Sequence, residues 1–495
     1  MSAIAGIVSQ RGKYSGNSSR QVSKMLSAMA HRGPDNTLVR SLLDDRGALG
    51  AIEINLEPET KTFCTYLDEP PYVLYTGHLY NKRNDGKSDV ELFSDYYEKY
   101  GEDAFGKFNG IFTAAIIHKN EEVLLVRDHV GSLPIFFGTN NDTFYFSTEM
   151  KGLKDHIQFG VEELPPGYMY SSRKGLKPFA PYTPELPHMP DNLEDAANIL
   201  REILIEAVEK RMEGSKAVSL SGGLDSSIIA AIAKEFSSDI KLFTVDVEGA
   251  SGPDLENARL MADYLGLEHI VYEITEDDIR NALSNAVWYM ESFDEDCISG
   301  ILSNYYASKT VKQYSDTVLV GEGADELFGG YRMVLKNERV KDAEHRERLA
   351  RKLLEISYNT ALRRLDRGWM ANGVDYRTPF LDKKVVDFSQ KIPMKWKIYG
   401  EKEIEKYILR EAFRDMLPEK IDNREKLRFA MGTGMDNVMD KIISQYIDPS
   451  ELEKRPKAAY GIPFASFKEL FYYDDFLQMF PPSYELQTVR WDPFK

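Results

Sequence analysis

The sequence has few cysteines, a deficit of positive charge and no long apolar run. Its 495 residues include two cysteines. Cys64 and Cys297 are far apart and in no CxxC spacing, so neither a disulfide framework nor a zinc site is indicated, and a reducing compartment is favoured. The formal net charge of −17 argues against a nucleic-acid partner or an anionic membrane surface, because both need clustered Lys and Arg. Small-molecule substrates fit this composition better.

Signals for a membrane, for export and for a metal centre are also missing. No apolar run approaches the ~18 residues that span a bilayer, and the N-terminus lacks the basic-then-apolar pattern of a signal peptide. The eight histidines show no metal-ligand spacing. We therefore expect a cytoplasmic protein with no membrane partner and no nucleic-acid partner.

A proline-rich stretch divides the chain. Residues 171–190, SSRKGLKPFAPYTPELPHMP, hold five prolines and no periodicity, which is typical of an extended linker. At this length two to four domains are expected. We predict a first domain over residues 1–172, a linker over 173–190 and a second domain over 191–495.

The two halves have different secondary-structure patterns. In the first half, strand-like runs and helical stretches do not alternate, which predicts an α+β arrangement. The runs expected as strands are 72–77, 111–117, 123–127 and 143–147, and the helices lie near 19–30 and 89–100. In the second half the strands KAVSL, IKLFTV, EHIVYEI and DTVLV alternate with helical segments. That alternation predicts a doubly wound parallel α/β sheet with ligands at the carboxyl ends of its strands.

The strongest chemical signal follows the first of these strands, in KAVSL-SGGLDSS-IIAAIA. Gly222 and Gly223 allow a tight bend and close approach of a ligand, and Ser221, Asp225 and Ser226 stand at the start of a helix, where amides and the helix dipole suit a phosphate. A capped helix after a glycine turn is the alternative. The chain lacks GxxxxGK[ST], so a P-loop is excluded, and SGGLDS instead resembles the loop of ATP pyrophosphatases.

A second strand end carries VLVGEGADELFGGY. Glu322, Asp325 and Glu326 bring carboxylates together beside glycines, which predicts a magnesium site or a general base next to the phosphate loop. A solvated acidic turn is the alternative.

These residues and others along the chain carry a family resemblance. The whole chain resembles the two-domain asparagine synthetases, and its first half is similar to class II glutamine amidotransferase domains. The motifs are SGGLDSS, GEGADELFGGY, the DR-x-x-M-x-x-G-V-D-x-R-x-PFLD run at 366–382, R-x-K-x-x-F with G-x-G at 424–434, HRGPD at 31–35, GHLYN at 77–81, RDHVGSLPIFFG at 127–138 and STEMKGL at 147–153. The resemblance implies an N-terminal nucleophile hydrolase-like α/β sandwich followed by an ATP-pyrophosphatase domain.

The resemblance also implies an AMP-forming amide ligase that uses ATP and Mg²⁺. ATP would adenylate the side-chain carboxylate of aspartate, and ammonia would then displace AMP. Glu322 would remove a proton from the attacking amine, Lys426 would stabilise the departing phosphate charge, and Asp325 would take part in catalysis. Mg²⁺ would be held by Asp225 and Asp325. The expected ATP-binding residues are Leu220, Ser221, Gly222, Gly223, Asp225, Ser226, Val245 and Gly321.

The opening MSAIAGIV departs from the family, which begins Met-Cys-Gly-Ile and uses the cysteine to hydrolyse glutamine. Ser2 replaces that cysteine, and a hydroxyl ionises far less readily than a thiol. The family's arginine for the glutamine carboxylate has no counterpart in residues 50–58, and the segment after GHLYN is much shorter. We interpret Ser2, Asn81 and Asp89 as a degenerate glutaminase site. An active N-terminal serine is the alternative.

Three hypotheses for the function follow. The first is an ammonia-dependent asparagine synthetase, the second is an enzyme with the same chemistry on another acid or amine, and the third is a catalytically silent scaffold or regulatory homologue. Val320 and Asp375 depart from the family in motifs that would touch the acid's pocket, so the acid stays open. The oligomeric state also stays open, with a homodimer as one outcome. A tRNA-modifying relative is disfavoured by the acidic charge.

Overall fold

The computed structural model describes residues 2–12, 14, 16–42, 46–56, 65–66, 69–81, 86–249, 253–337, 339–340, 342–424 and 435–488. Elements of the first part of the chain are β1 Ala3–Ser9, α1 Ser18–Ser27, β2 Asn36–Leu42, β3 Gly47–Glu53, β4 Thr65–Tyr66, β5 Tyr72–Leu79, α2 Asp89–Tyr100, β6 Gly110–Ile117, β7 Val123–Arg127, β8 Phe136–Asn140, β9 Thr143–Ser147, β10 Glu162–Glu163, β11 Tyr168–Ser171 and β12 Gly175–Pro178.

The strands of this part form two antiparallel sheets that pack face to face. Among the described residues their orders are β10-β8-β9-β1-β3-β2 and β12-β11-β7-β6-β5-β4. Apolar residues of both inner faces, such as Leu49, Leu74 and Leu125, make one core. The amphipathic helix α1 contacts β3 and β1, and α2 contacts β5, so a helix layer lies outside each sheet. The α/β sandwich expected from the resemblance is confirmed.

The second part of the chain alternates helices and strands. Its elements are α3 Leu193–Glu209, β13 Ala217–Ser219, α4 Leu224–Phe236, β14 Lys241–Val247, α5 Asp254–Leu265, β15 Glu268–Ile274, α6 Glu276–Met290, α7 Glu295–Val311, β16 Thr317–Leu319, α8 Ala324–Phe328, α9 Arg332–Leu335, α10 Ala343–Ile356, α11 Ala361–Met370, β17 Asp375–Arg377, α12 Lys383–Lys391, α13 Met394–Lys397, β18 Ile398–Tyr399, β19 Ile404–Glu405, α14 Tyr407–Phe413, α15 Glu419–Asp422, α16 Met435–Ile443, α17 Glu451–Lys454 and α18 Phe467–Met479.

The parallel sheet of this part has the order β15-β14-β13-β16-β17 over the described chain. Neighbouring strand residues face opposite layers, because Val218 and Leu242 belong to one core and Ala217 and Phe243 to the other. Both faces are therefore covered, and the predicted doubly wound parallel sheet is confirmed. The strand order reverses between β13 and β16, and the carboxyl ends of two strands that diverge in this way form the crevice where α/β sheets bind ligands.

Two details at the element level differ from the sequence prediction. The strand β17 was not predicted, because its three residues lie inside the motif GVDYR without a run of apolar residues around them. The strand β12 pairs with β11 and lies within residues 173–190, which were predicted as linker. Residues 179–190 have no helix or strand. The predicted domain limits stay a prediction.

Candidate active site

The first loop of the site follows β13 and leads into α4. Gly222 has a φ of +69°, and a Cβ on it would lie 2.4 Å from the carbonyl oxygen of Asp254, so glycine is required there. The Ser226 hydroxyl accepts a hydrogen bond from the Ser221 amide at 3.1 Å and donates to the Gly223 carbonyl at 3.3 Å. Because no side chain of the described residues caps the α4 N-terminus at Gly223, its amides can face a phosphate.

The second loop follows β16 and packs directly on the first. Gly321 lies so close that a Cβ on it would come within 2.9 Å of the Ser226 amide. Gly323 has a φ of +102° and precedes the short helix α8. This close approach brings Asp325 to the same end of the sheet as Asp225. The sequence predicted these two carboxylates as a pair, and both contact the same cation.

That cation is the Lys406 ammonium, which the sequence analysis did not predict. Lys406 Nζ lies 2.5 Å from Asp225 Oδ2 and 2.5 Å from Asp325 Oδ1, and the residue is 1% exposed. Lys406 has a φ of +54° and stands at the N-terminus of α14. A cation is unfavourable at a helix N-terminus. The position of Lys406 directly before α14 is therefore the sequence signal that could have identified it.

Glu322 begins an acidic cluster, and a second cation, Arg364, pairs with it. Arg364 Nη2 donates to Glu322 Oε1 at 3.0 Å, and the sequence analysis did not predict this contact either. Burial together with the carboxylates of Asp325 and Glu322 raises the pKa of Glu326 to about 7. The Tyr331 hydroxyl donates to Glu326 Oε1 at 2.5 Å. Glu322 is thus the partly exposed member of the cluster, with a side chain 29% exposed, whereas Glu326 is buried.

The other predicted residues of the ATP side surround the first loop. Leu220 is buried, and its amide donates to the Phe243 carbonyl at 2.8 Å. Val245 is buried near the end of β14. Arg424 Nη1 donates to the Gly222 carbonyl at 2.6 Å and also pairs with Asp254. Lys426 and the rest of residues 425–434 lie outside the described residues.

The predicted remnant of the glutaminase site makes its hydrogen bonds within the first part of the chain. Ser2 is buried, and its amide donates to Thr76 Oγ1 at 3.0 Å. Asp89 accepts from the Leu79 amide at 3.3 Å, and its other carboxylate oxygen lies 3.9 Å from His78 Nδ1. Ser2 and Asp89 therefore meet β5 through residues on one face of that strand.

Asn81 bonds to backbone of the first part of the chain, and Asp375 of the second part contacts a histidine of the first. The Asn81 amide donates to the Lys107 carbonyl at 2.9 Å and accepts from the Asn109 amide at 2.8 Å, so it holds a turn. The Asp375 carboxylate accepts from His78 Nε2 at 2.9 Å and faces Arg377. The sequence analysis assigns Asp375 to a motif near the acid's pocket, whereas in the structure its carboxylate contacts His78 of the first part of the chain. The His78 imidazole and the Arg377 guanidinium hold the pKa of Asp375 well below its usual range, although burial acts to raise it.

Six fully buried charged residues join the two parts of the chain, and we call them the interdomain ion cluster. Arg32 makes two bonds of 2.7 Å to the Asp366 carboxylate and one of 2.9 Å to Glu149. Arg367 bonds Glu149 and Glu291 at 2.7 Å each. The members are Arg32, Glu149, Lys151, Glu291, Asp366 and Arg367. Three cations balance three anions, so the interdomain ion cluster carries no net formal charge.

Within the described residues, no helix has the length and apolar composition that a membrane crossing requires. The same residues contain no group of three or more His, Cys, Asp or Glu side chains arranged to hold a metal by themselves. A divalent ion at the two aspartates would therefore need further oxygen ligands from a substrate or from water.

Comparison with known proteins covers both halves of the chain. Residues 1–167 match the glutamine amidotransferase domain, and residues 199–353 and 337–480 match asparagine synthase. The glutamine-hydrolyzing asparagine synthetase of Zea mays is 30% identical over 504 residues, which cover 94% of this chain and 84% of that protein. Asparagine synthetase B of Escherichia coli is 29% identical over 498 residues, covering 92% of this chain and 87% of that protein.

Among solved structures, an NH3-dependent NAD synthetase from Campylobacter jejuni matches with a TM-score of 0.26 at 11% identity, over 58% of this chain and 95% of that one. The family matches, not this one, decide the assignment, since they extend over nearly the full length and agree with the motifs at the two strand ends. The chain belongs to the asparagine synthetase family of ATP-dependent carbon–nitrogen ligases.

Proposed function

We propose that this protein is an ammonia-dependent asparagine synthetase whose glutaminase half is inactive. ATP adenylates the side-chain carboxylate of aspartate and pyrophosphate leaves; ammonia then attacks the acyl carbon and AMP leaves. The single observation that carries the proposal is the convergence of Asp225, Asp325 and Lys406 at the ends of the two strands where the sheet order reverses. The domain limits 1–172, 173–190 and 191–495 belong to the same proposal.

The first loop supports a phosphate subsite. The uncapped N-terminus of α4, a helix of 13 residues, directs amides toward the crevice, and the buried Lys406 ammonium supplies positive charge. Arg424 donates a hydrogen bond to the Gly222 carbonyl, so this carbonyl is engaged and the amides of the loop are available to a phosphate. Leu220, Ser221, Gly222, Gly223, Ser226, Val245 and Gly321 are the proposed contacts of the nucleotide.

The two aspartates are suited to Mg²⁺. Asp225 Oδ1 is buried and makes no hydrogen bond within the described part of the chain, so it has an unused acceptor toward the crevice. Two carboxylates completed by phosphate oxygens and waters are a normal magnesium environment. Bound there, Mg²⁺ would neutralise charge on the pyrophosphate group. The Lys406 ammonium contacts both carboxylates and offsets one of their two negative charges.

Glu322 is the proposed proton acceptor for the attacking ammonia. It is a partly exposed carboxylate in the loop after β16, three positions before Asp325, one of the two proposed magnesium ligands. A general base must be within hydrogen-bond reach of the proton that it removes. Lys426 lies outside the described residues, and its role in stabilising the phosphate charge stays a prediction from the motif.

Several features support an inactive glutaminase half. A hydroxyl at Ser2 is a weak nucleophile compared with a thiol, and the segment 50–58 contains no basic residue for the glutamine carboxylate. His78 fills the space beside Asp89 and pairs with Asp375. The Asp89 carboxylate of the predicted glutaminase remnant therefore faces an imidazole of the protein.

The proposal is tested with the purified full chain, ATP, Mg²⁺ and aspartate, with either ammonium or glutamine as the nitrogen donor. We expect AMP, pyrophosphate and asparagine with ammonium, and no glutamate from glutamine. Ser2→Ala should leave the ammonium reaction unchanged. Formation of ADP and phosphate would exclude the adenylation chemistry, and Ser2-dependent glutamate release would make the first domain an active glutaminase.

A second experiment tests Glu322. Glu322→Gln should reduce amide formation more than the aspartate-dependent exchange of pyrophosphate into ATP, because the proton is removed after adenylation. Glu355→Gln, on the exposed side of α10, is the matched control and should behave like the wild type. If aspartate gives no pyrophosphate but another acid does in a screen, the substrate assignment is wrong; if no acid does, the chain is a silent member of the family.

A further inference from the structure

We propose that Arg364 binds the non-reacting carboxylate of a dicarboxylic substrate, and that this exchange releases Glu322 to accept the proton of ammonia. The inference rests on the proposed function and deepens it, because it names the substrate feature that the site reads. In the structure the guanidinium has Glu322 as its partner at 3.0 Å. Substrate would take over that partner position.

Arg364 differs from the other arginines of α11 in its surroundings. Arg363 has a side chain 1% exposed and pairs with Glu163, and Arg367 is fully buried in the interdomain ion cluster. The Arg364 side chain is 30% exposed, and that of its partner Glu322 is 29% exposed. Both groups of this pair therefore reach solvent at the crevice, where a small molecule can contact them.

A glycine on the neighbouring helix makes room for this arginine. A Cβ on Gly300 of α7 would lie 2.2 Å from Arg364 Cδ and 3.0 Å from its Nη1. Any side chain at position 300 would thus collide with the stem and head of the arginine. The Asn304 side chain, one turn further along α7, donates to the Arg364 carbonyl at 3.4 Å. The two helices together direct the guanidinium toward Glu322.

The acidic residues around Arg364 would repel an anionic substrate unless a cation bound it. Glu322, Asp325 and Glu326 are three acidic residues within five positions, and Lys406 is already paired with Asp225 and Asp325. Arg364 is the cation paired with Glu322. A guanidinium offers five N–H donors and binds a carboxylate with two parallel hydrogen bonds, so it can recognise a planar carboxylate at this position.

The exchange also explains how Glu322 can serve as a base. Its Oε1 accepts the Arg364 N–H in the structure, so that oxygen is engaged before substrate arrives. When a substrate carboxylate occupies the guanidinium, Oε1 becomes available for the proton of the nucleophile. Binding of the correct acid and activation of the base are thereby linked.

The test compares aspartate with 3-aminopropanoate, which keeps the reacting carboxylate but lacks the other one. Both are assayed by pyrophosphate release with the full chain. The wild type should prefer aspartate in kcat/KM by about 10⁴-fold, the scale by which a site built to hydrogen-bond a substrate group rejects an analogue that lacks it. Arg364→Gln should lose this preference by raising KM for aspartate, with little change for 3-aminopropanoate and for ATP. Arg351→Gln, an exposed arginine of α10, is the matched control.

Gly300→Ala provides a second route that leaves Arg364 in the sequence. Its methyl group should displace the guanidinium, raise KM for aspartate and preserve KM for ATP. If the wild type prefers aspartate and both variants keep that preference, the inference is wrong while the proposed function stands. If the wild type releases no pyrophosphate with either acid, the proposed function itself fails.

Discussion

Arg32→Met should destabilise the folded protein by about 3–5 kcal/mol, the usual loss when one partner of a buried ion pair is removed. Arg32 is fully buried and makes two hydrogen bonds to Asp366 and one to Glu149, all between 2.7 and 2.9 Å. After the substitution the interdomain ion cluster holds three anions and two cations. One buried carboxylate then has neither a balancing cation nor water around it. The cost of keeping that charge desolvated accounts for most of the lost stability.

The remaining partners limit the loss. Glu149 keeps Arg367 at 2.7 Å and its contact with Lys151, so Asp366 is the residue most affected. The double variant Arg32→Met/Asp366→Leu restores charge balance, with two cations and two anions. Because a buried ion pair replaced by apolar residues is often neutral in stability, the double variant should be less destabilised than Arg32→Met alone. This non-additivity identifies the pair as the cause.

Urea unfolding followed by circular dichroism measures these differences. Arg11→Met is the matched control, because Arg11 lies in the same domain and forms an exposed pair with Asp142, where the side chains are 80% and 59% exposed. It should change the stability by less than about 0.5 kcal/mol. A loss under about 1 kcal/mol for Arg32→Met, or additive losses in the double variant, would refute the reasoning that the cluster holds the two domains together by compensated buried charge.

Three further predictions follow from other contacts. Lys406→Met should lower the rate of pyrophosphate release by about 10²-fold or more, the scale for loss of an electrostatic stabiliser, whereas Lys402→Met on the exposed loop before it should not; equal rates in the two variants would contradict the role of Lys406. His78→Ala should lower the thermal midpoint at pH 7, and the difference from the wild type should shrink as the pH falls below about 4. The low pKa of Asp375 contributes stability that is lost when its carboxylate is protonated. A difference that does not depend on pH would contradict this prediction. Gly222→Ala should abolish activity, because the added Cβ would overlap the Asp254 carbonyl. An active variant would show that the first loop does not need its left-handed turn.

Much of the fold could be predicted from the sequence because its signals are local. Apolar runs bounded by turns predicted β5, β6, β7 and β9, and the alternation of strands and helices predicted four strands of the parallel sheet. The glycines and acidic residues after β13 and β16 identified the two loops that meet in the structure. Each strand, helix or loop in these patterns is indicated by about fifteen or fewer consecutive residues, so local conformation and side-chain periodicity suffice to reveal it.

The residues that complete the site could not be predicted in this way. Lys406 is 181 positions from Asp225 in the sequence, and Arg364 is 42 positions from Glu322. Neither lies in a pattern whose spacing indicates its partner. The short strand β17 was missed for a related reason, since its pairing with β16, not its own propensity, makes it a strand.

The sequence by itself determined the class of fold, the two loops at the strand ends and the changes around Ser2, because each depends on residue types in a short segment. The tertiary structure alone decided which cation lies between the two aspartates, which arginine faces Glu322, and that Asp375 pairs with His78 of the other domain. The physical reason is that a buried charge is tolerated only beside its partner, and the chain brings those partners together through packing of distant elements.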